Sequence, residues 1–179
     1  ITTDTLGSLF SVLLLRLWLG IRSLQAGIEK FSGINVASNP VIIDGKPNTD
    51  DLMTHTSEKV YALTNYQGVP AGLYKSLASE PLITGSMLKA YNYILGPILL
   101  LLGLSILLGL ASRISLLTMG IVYTSLTFGL ILLNQSAGIA WLATHVLLVS
   151  LMLIFAHHNR YELGNLIAVH TPLKFLKNK

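Results

Sequence analysis

The chain has 179 residues, of which 52% are hydrophobic and only 11% are charged. A water-soluble domain carries roughly 25% charged residues, so this composition excludes an ordinary soluble protein. The absence of cysteine excludes disulfide bonds, thiolate metal sites and iron–sulfur clusters. The net charge of +4 is not gathered into a basic stripe with interleaved aromatic residues, so we expect no nucleic-acid partner.

The first apolar run, Leu9–Ile28, is long enough to cross a hydrocarbon core as a helix, which takes roughly 20 residues. Arg22, Gln25 and Glu29 follow i, i+3, i+7 spacing and share one face, and Arg16 lies near mid-depth. Ionisable residues inside a bilayer cost roughly 3 kcal/mol each and are functional candidates. Two arginines beside one acid suit an anion or a polar head group. The alternative is an interhelical Arg–Glu pair with polar packing contacts.

A polar segment, Phe31–Lys89, follows the first span. Within it, apolar and polar residues recur at helical spacing from Met53 to Gln67, and Asp50 and Asp51 precede them where acids favour a helix N-terminus. This pattern predicts a short amphipathic helix that covers the bundle. A second short helix is predicted over Pro70–Ala78, because proline is common at the start of a helix.

Three further apolar runs predict membrane spans at Tyr91–Leu110, Ser115–Leu133 and Ile139–His157. Their connections are very short, which forces antiparallel neighbours. We therefore predict an all-α integral membrane protein. It forms a single domain over residues 1–179: a four-transmembrane-helix up-down bundle with a long extracytoplasmic loop, residues 31–89, between the first two helices. Pro97 predicts a kink in the second span and a freed carbonyl that faces the pocket. Glycines seven residues apart in the first two spans predict close helix packing.

The positions of basic residues predict the orientation in the membrane. One side carries the basic residues of the short turn between the second and third spans and of a tail, residues 158–179: Arg113, Arg160, Lys174, Lys177 and Lys179. The long loop balances its lysines with acids. Both termini are therefore expected on the cytoplasmic side of a prokaryotic inner membrane, with the tail against the anionic lipid surface.

Aromatic and polar residues in the outer half of the other spans extend the candidate site. His145 lies four residues after Trp141 on one helical face, and Tyr93 opens the second span on the same side. The candidate pocket for a substrate or quinone comprises Arg16, Arg22, Gln25, Glu29, Tyr93, Trp141 and His145. The alternative is an aromatic belt at the interface and a histidine that makes one interhelical hydrogen bond.

The histidines argue against haem held by this chain alone. His145, His157 and His158 come from one predicted span, so two of them cannot ligate opposite faces of one iron. The sequence also lacks a glycine-rich phosphate loop, paired catalytic carboxylates and an HExxH metal motif. We expect no metal site and no covalently held cofactor.

Three motifs lie at Leu15–Phe31, Gly109–Ile114 and Asn159–Ile167. They resemble the DoxX/DoxD-like family of membrane proteins. The run LRLWLGIRSLQAGIEKF, from Leu15 to Phe31, is similar to the family opening, with its Leu-Arg pair, a following glycine and a Gly-x-x-Lys-Phe exit. Gly109–Ile114 resembles the family's Gly-Leu-x-x-Arg turn. Asn159–Ile167 resembles the segment after the fourth span, although Gly164 stands where the family usually has aspartate, so a role of that acid is not carried over.

The resemblance implies a four-helix membrane subunit linked to quinone-dependent electron transfer, since members include the membrane subunit of a thiosulfate:quinone oxidoreductase. Two roles follow. The chain is a quinone-reactive oxidoreductase subunit, in which the arginines hold a quinone head or a small oxyanion and His145 exchanges a proton. Alternatively, it is a non-catalytic accessory or scaffold subunit whose long loop docks other membrane subunits. We favour a redox-complex subunit and leave open whether it turns over substrate.

Overall fold

A computed structural model describes residues 3–43, 46–47 and 52–159 of the chain. Five α-helices lie within these ranges: α1 (Thr3–Glu29), α2 (Ala71–Ala78), α3 (Gly85–Leu108), α4 (Ser112–Leu132) and α5 (Ser136–Ile154). From Arg160 onwards the predicted basic tail, including Gly164, lies outside the described residues. So do the predicted helix-initiating residues Asp50 and Asp51.

Four of these helices are long and apolar enough to cross a membrane, which confirms the four predicted spans. Two of these helices, α1 and α3, begin about six residues earlier than predicted. Each includes a more polar segment that precedes its apolar run. The last helix ends at Ile154, and His157 lies in a 3-10 turn, Ala156–His158. At most 33% of the most apolar window of any span is buried inside the protein, so the remaining apolar faces require a lipid environment.

Contacts between the long helices join antiparallel neighbours. Along α1, Gly20 approaches the end of α3 near Leu107, whereas Gly27 approaches Leu100, about two turns earlier in α3. The approach is close, because a Cβ atom on Gly103 would lie only 2.8 Å from the backbone nitrogen of Leu24. Small residues thus bring α1 and α3 together, as the glycine spacing predicted. In the same way, Gly138 of α5 faces Leu130 of α4.

The segment between α1 and α2 differs from the prediction. Met53–Tyr61 is a β-strand, β4, and the predicted amphipathic helix over Met53–Gln67 is wrong; its C-terminal part contains only a 3-10 turn, Leu63–Asn65. β4 pairs in antiparallel register with β1 (Ser32–Pro40) over its whole length. Threonine, valine and tyrosine favour a strand, and pairing with β1 satisfies its backbone, which outweighs a weak helical periodicity. The chain is therefore mostly helical rather than all-α.

The paired strands β1 and β4 form a two-stranded ribbon that leaves the helices. Two shorter strands, β2 (Ile42–Ile43) and β3 (Lys46–Pro47), pair at its far end. Every residue of β4 is exposed. The second predicted short helix is confirmed as α2, which begins directly after Pro70 and packs on α3. The end of the bundle that carries these elements is called the loop end below.

Candidate functional site: an apolar cavity and the charged groups around it

Arg16 lies about 20 Å along α1 from Glu29, towards the end opposite the loop end. Its side chain is 6% exposed. It donates hydrogen bonds to the carbonyl oxygens of Ile106 (2.8 Å) and Leu107 (2.6 Å) in the last turn of α3, and to Oδ1 of Asn159 (3.3 Å). The carbonyl oxygen of Ile106 also accepts from the N–H of Gly109 (3.2 Å) at the end of the helix, and a cation beside the last carbonyls complements the helix dipole. Arg16 therefore caps α3 and is separated from the other predicted site residues.

Arg22, Gln25, Trp141 and His145 do come together, in the half of the bundle nearer the loop end. The guanidinium of Arg22 lies 5.8 Å from the ring centre of Trp141 and donates to Oε1 of Gln25 at 3.0 Å. The His145 ring lies 5.3 Å from Trp141 and 5.5 Å from Tyr123. Four of the predicted residues thus form one cluster between α1 and α5, with Tyr123 added from α4.

His145 is buried, with one nitrogen paired and one unpaired. Its Nδ1 lies 2.9 Å from the carbonyl oxygen of Trp141. A carbonyl only accepts, so Nδ1 carries the hydrogen and a neutral ring presents Nε2 as a bare acceptor. Among the described residues, Nε2 has no hydrogen-bond partner. This nitrogen is able to accept a proton or a hydrogen bond from a small donor.

Glu29 pairs with the ribbon rather than with an arginine. Its carboxylate accepts a hydrogen bond from Nζ of Lys59 at 2.5 Å and another from the Tyr61 hydroxyl at 3.3 Å. The hydrogen bond to Glu29 raises the pKa of Lys59. The alternative of an Arg–Glu pair is not seen among the described residues. Instead, this ion pair joins the base of the ribbon to the end of α1.

Tyr93 is 76% exposed, and among the described residues no hydrogen bond or ring contact joins its side chain to the other predicted site residues. The carbonyl that Pro97 frees belongs to Tyr93, and it lies 2.9 Å from the hydroxyl of Tyr66 rather than facing a pocket. The same hydroxyl accepts from the N–H of Gly96 (3.1 Å) and lies 2.9 Å from the carbonyl oxygen of Asn92. Tyr66 thus inserts into α3 where proline leaves a backbone bond unmade.

A cavity of about 880 Å³ lies between α2, α3, α4 and α5. Along α5 it extends from Gly138 to Leu153, a length of about 22 Å. Apolar side chains dominate the wall, and several belong to the outward face of α4, so the cavity opens sideways towards lipid. Its principal lining residues are Lys30, Val69, Leu77, Tyr91, Leu95, Leu117, Gly120, Ile121, Thr124, Ser125, Phe128, Gly129, Trp141, Leu142, Val146, Val149, Ser150 and Leu153.

Lys30 is the one charged residue among those that line this cavity. It directly follows α1, and burial lowers the pKa of its side chain. Its ammonium group has no ion-pair or hydrogen-bond partner in the part of the chain that the structure describes. Our sequence prediction did not include Lys30. The sequence signal that points to Lys30 is the Gly27-x-x-Lys30-Phe31 exit motif.

Trp141 connects the two regions, because it lines the cavity and also contacts Arg22 and His145. Of the seven predicted site residues, Trp141 alone lines the cavity. Among the described residues, no group of three or more histidine, aspartate or glutamate side chains is placed to hold a metal ion. The arrangement offers a long apolar space with a cation at one end and a polar cluster behind one wall.

Fold and site together define a multi-pass membrane protein with four candidate spans and a laterally open apolar cavity. No protein-family model matches the chain, and neither a curated protein sequence nor a solved structure is significantly similar to it. Any narrower assignment is therefore a proposal that must be supported by the geometry and the motifs.

Proposed function

We propose that this chain is the membrane subunit of a quinone-linked electron-transfer complex, related to the DoxX/DoxD-like proteins, and that its cavity binds the quinone. The observation that carries the proposal is the cavity itself. Its volume of about 880 Å³ lies in the range of small-molecule sites, and its length of about 22 Å accommodates an apolar tail. A quinone dissolved in the bilayer enters through the lateral opening without crossing water.

The polar groups near the cavity suit such a ligand. Tyr91, Ser125 and Lys30 provide a few polar atoms in an otherwise apolar wall, which is typical of sites that orient one end of a ligand. His145 lies behind Trp141 with a bare ring nitrogen. Arg22 gives this region a positive charge. The same charge suits a small oxyanion such as thiosulfate in the parent complex.

Binding is tested with decylubiquinone and the protein in lipid nanodiscs. The chain has two tryptophans, Trp18 and Trp141, so a Trp18→Phe background leaves the cavity residue as the sole reporter. We expect saturable quenching of Trp141 fluorescence. Gly120→Leu fills the cavity with little strain, because the nearest side-chain atom lies 3.5 Å from an added Cβ. It should weaken binding at least tenfold, whereas Gly72→Leu, which meets no atom within 4 Å, should not.

Two results would exclude the cavity as a quinone site. One is the absence of saturable quenching in the parent protein. The other is equal affinity in the parent and in Gly120→Leu, with both proteins folded.

We further propose that the loop end lies outside the cytoplasm of a prokaryotic cell and that both termini lie inside. Exposed Arg113 marks the opposite end, and the turn from Asn134 to Gly138 at the loop end carries no charge. Because the chain has no cysteine, single substitutions report sidedness directly. A His55→Cys variant should react with an impermeant maleimide in intact cells, and Arg113→Cys should react only after the membrane is opened. The reverse pattern would contradict this orientation.

A second role, as an accessory or scaffold subunit, is favoured by the ribbon. Ile34 and Val36 are 75% and 58% exposed and share one face of β1. Exposed apolar residues on a projecting strand pair suit docking to another subunit. Replacing both by aspartate should release the chain from a larger native complex in blue native gels, and Asn35→Asp on the opposite face should not. Migration of the parent chain alone would count against this role.

A further inference from the structure

Lys30 is held by its backbone while its charge remains unpaired. Its N–H bonds to the carbonyl oxygen of Gly27 (3.2 Å), and its own carbonyl accepts from the N–H of Gln67 (2.7 Å). Glu29, the adjacent acid, is occupied by Lys59 and Tyr61. Lys30 therefore lines the cavity from a fixed backbone position, and its ammonium group has no neutralising carboxylate among the described residues. Burial lowers the pKa of Lys30, as expected for a cation that lacks a partner.

The hydroxyl groups in the cavity wall have already used their hydrogens. Ser125 donates to the carbonyl oxygen of Val122 (2.8 Å), so the Tyr91 hydroxyl, 2.9 Å away, donates to Ser125. Thr124 and Ser150 each donate to a carbonyl oxygen one turn earlier in their own helices. These groups therefore offer lone pairs but no free hydrogens. An ammonium group has three donors and no acceptor.

We propose that Lys30 anchors an acceptor oxygen of the ligand's head group and thereby selects the oxidised quinone. This inference rests on the proposed function, because it concerns the same cavity. A quinone carbonyl only accepts, so it matches the ammonium group of Lys30. The tail then lies along α4 and α5, away from the loop end. A quinol oxygen is less suited to Lys30, because it brings a hydrogen of its own and is a weaker acceptor than a carbonyl.

The test compares three ligands that share one tail: decylubiquinone, its quinol and decylbenzene. Affinities are measured by Trp141 quenching or by competition in the Trp18→Phe background. We expect the parent to bind the quinone more tightly than the quinol. Lys30→Met should lower quinone affinity about tenfold, as for loss of one hydrogen bond to a charged group, and should remove most of the preference over the quinol. Decylbenzene should bind both proteins equally.

Two variants control for charge and folding. Lys30→Arg keeps a donating cation and should retain most of the affinity, whereas Lys75→Met removes an exposed lysine of α2 that does not line the cavity and should change nothing. Circular dichroism and thermal unfolding show whether each variant is folded.

The outcomes separate this inference from the proposed function. If Gly120→Leu abolishes quinone binding and Lys30→Met leaves it unchanged, the cavity binds quinone and the role of Lys30 is wrong. Equal loss of quinone and decylbenzene affinity in Lys30→Met would also overturn that role, because the effect would then be one of shape. If laurate binds more tightly than the quinone and depends on Lys30, the site holds an anionic lipid, and both the quinone assignment and this inference fail.

Discussion

Two cations, Arg16 at the middle of α1 and Lys30 just past its C-terminal end, are buried or partly buried, yet they differ in what surrounds them. Arg16 directs its donors at two carbonyl oxygens of α3 and at Asn159, so its charge is absorbed into the packing of the bundle. The ammonium group of Lys30 has no partner among the described residues, and the residue lines a large cavity. A buried cation with satisfied donors supports the fold, whereas one with unused donors beside a cavity indicates a place for a ligand.

The largest expected effect comes from removing the cation that supports the fold. Arg16→Met leaves the carbonyl oxygens of Ile106 and Leu107 without this donor in the bundle interior. We expect a loss of about 3 kcal/mol in the free energy of unfolding. Reversible unfolding in mixed micelles with increasing dodecyl sulfate measures it. Arg113→Met, at an exposed position of α4, should change stability by less than about 0.5 kcal/mol. Equal stability of Arg16→Met and Arg113→Met would show that Arg16 does not support the fold, and its contrast with Lys30 would be lost.

A smaller loss is expected where the loop end contacts α3. Tyr66→Phe keeps the ring beside Gly96 but removes the hydroxyl that joins the Gly96 N–H to the carbonyls of Asn92 and Tyr93. We expect a loss of about 1 to 2 kcal/mol, measured by the same unfolding titration. Tyr93→Phe serves as the control because that side chain is 76% exposed. A Tyr66→Phe protein as stable as its control would show that water replaces the hydroxyl at the proline site.

The spans could be predicted from the sequence because a bilayer imposes one strong requirement on length and polarity. The helix after Pro70 and the glycine contacts between α1 and α3 followed from equally local rules. The ribbon could not be predicted in this way. Periodicity from Met53 to Gln67 favoured a helix, while the deciding factor was pairing with β1, some twenty residues earlier in the chain.

The candidate site was predicted only in part, because spacing along α1 shows which residues share a face but not which partners the other helices bring. Arg22, Gln25, Trp141 and His145 do meet. Arg16 lies on α1 with Arg22 and Gln25, but its side chain binds the end of α3. Glu29, at the end of the same helix, binds Lys59, and the pattern of a single helix shows neither partner. The position of Lys30 at the cavity cannot be predicted from the sequence, because a lysine just past a span usually reaches water at the interface.

Removing the second cation of the comparison should not harm the fold. Lys30→Met exchanges a partly buried charge without a described partner for an apolar side chain of similar length. We expect unchanged stability or a gain of up to about 1 kcal/mol in the unfolding titration without ligand. With decylubiquinone present, the parent should gain more stability than the variant, because ligand binding favours the folded state. A marked loss of stability in the ligand-free variant would place Lys30 among the supporting cations, beside Arg16.

The smallest effect concerns the ion pair between the ribbon and α1. The hydrogen bond that Lys59 donates to Glu29 raises the pKa of Lys59 above its ordinary value of 10.5. Because the pKa is raised, the stabilisation that the Lys59–Glu29 pair gives is complete below about pH 10.5. It is lost as the pH rises through the raised pKa. A spin label on His55→Cys should therefore report a constant ribbon mobility from pH 7 to about 10 and a higher mobility above that range.

In Glu29→Gln, the same label should be more mobile already at pH 7, and its mobility should not change further as the pH rises. Glu58→Gln, in the same exposed strand, should behave as the parent does. Both charged partners are largely exposed, so the change is expected to loosen the ribbon without unfolding the helices. An increase in parent mobility between pH 7 and 9 would mean that a different group holds the ribbon. The loop end would then depend on its contacts with α3 around Tyr66 rather than on this charge pair.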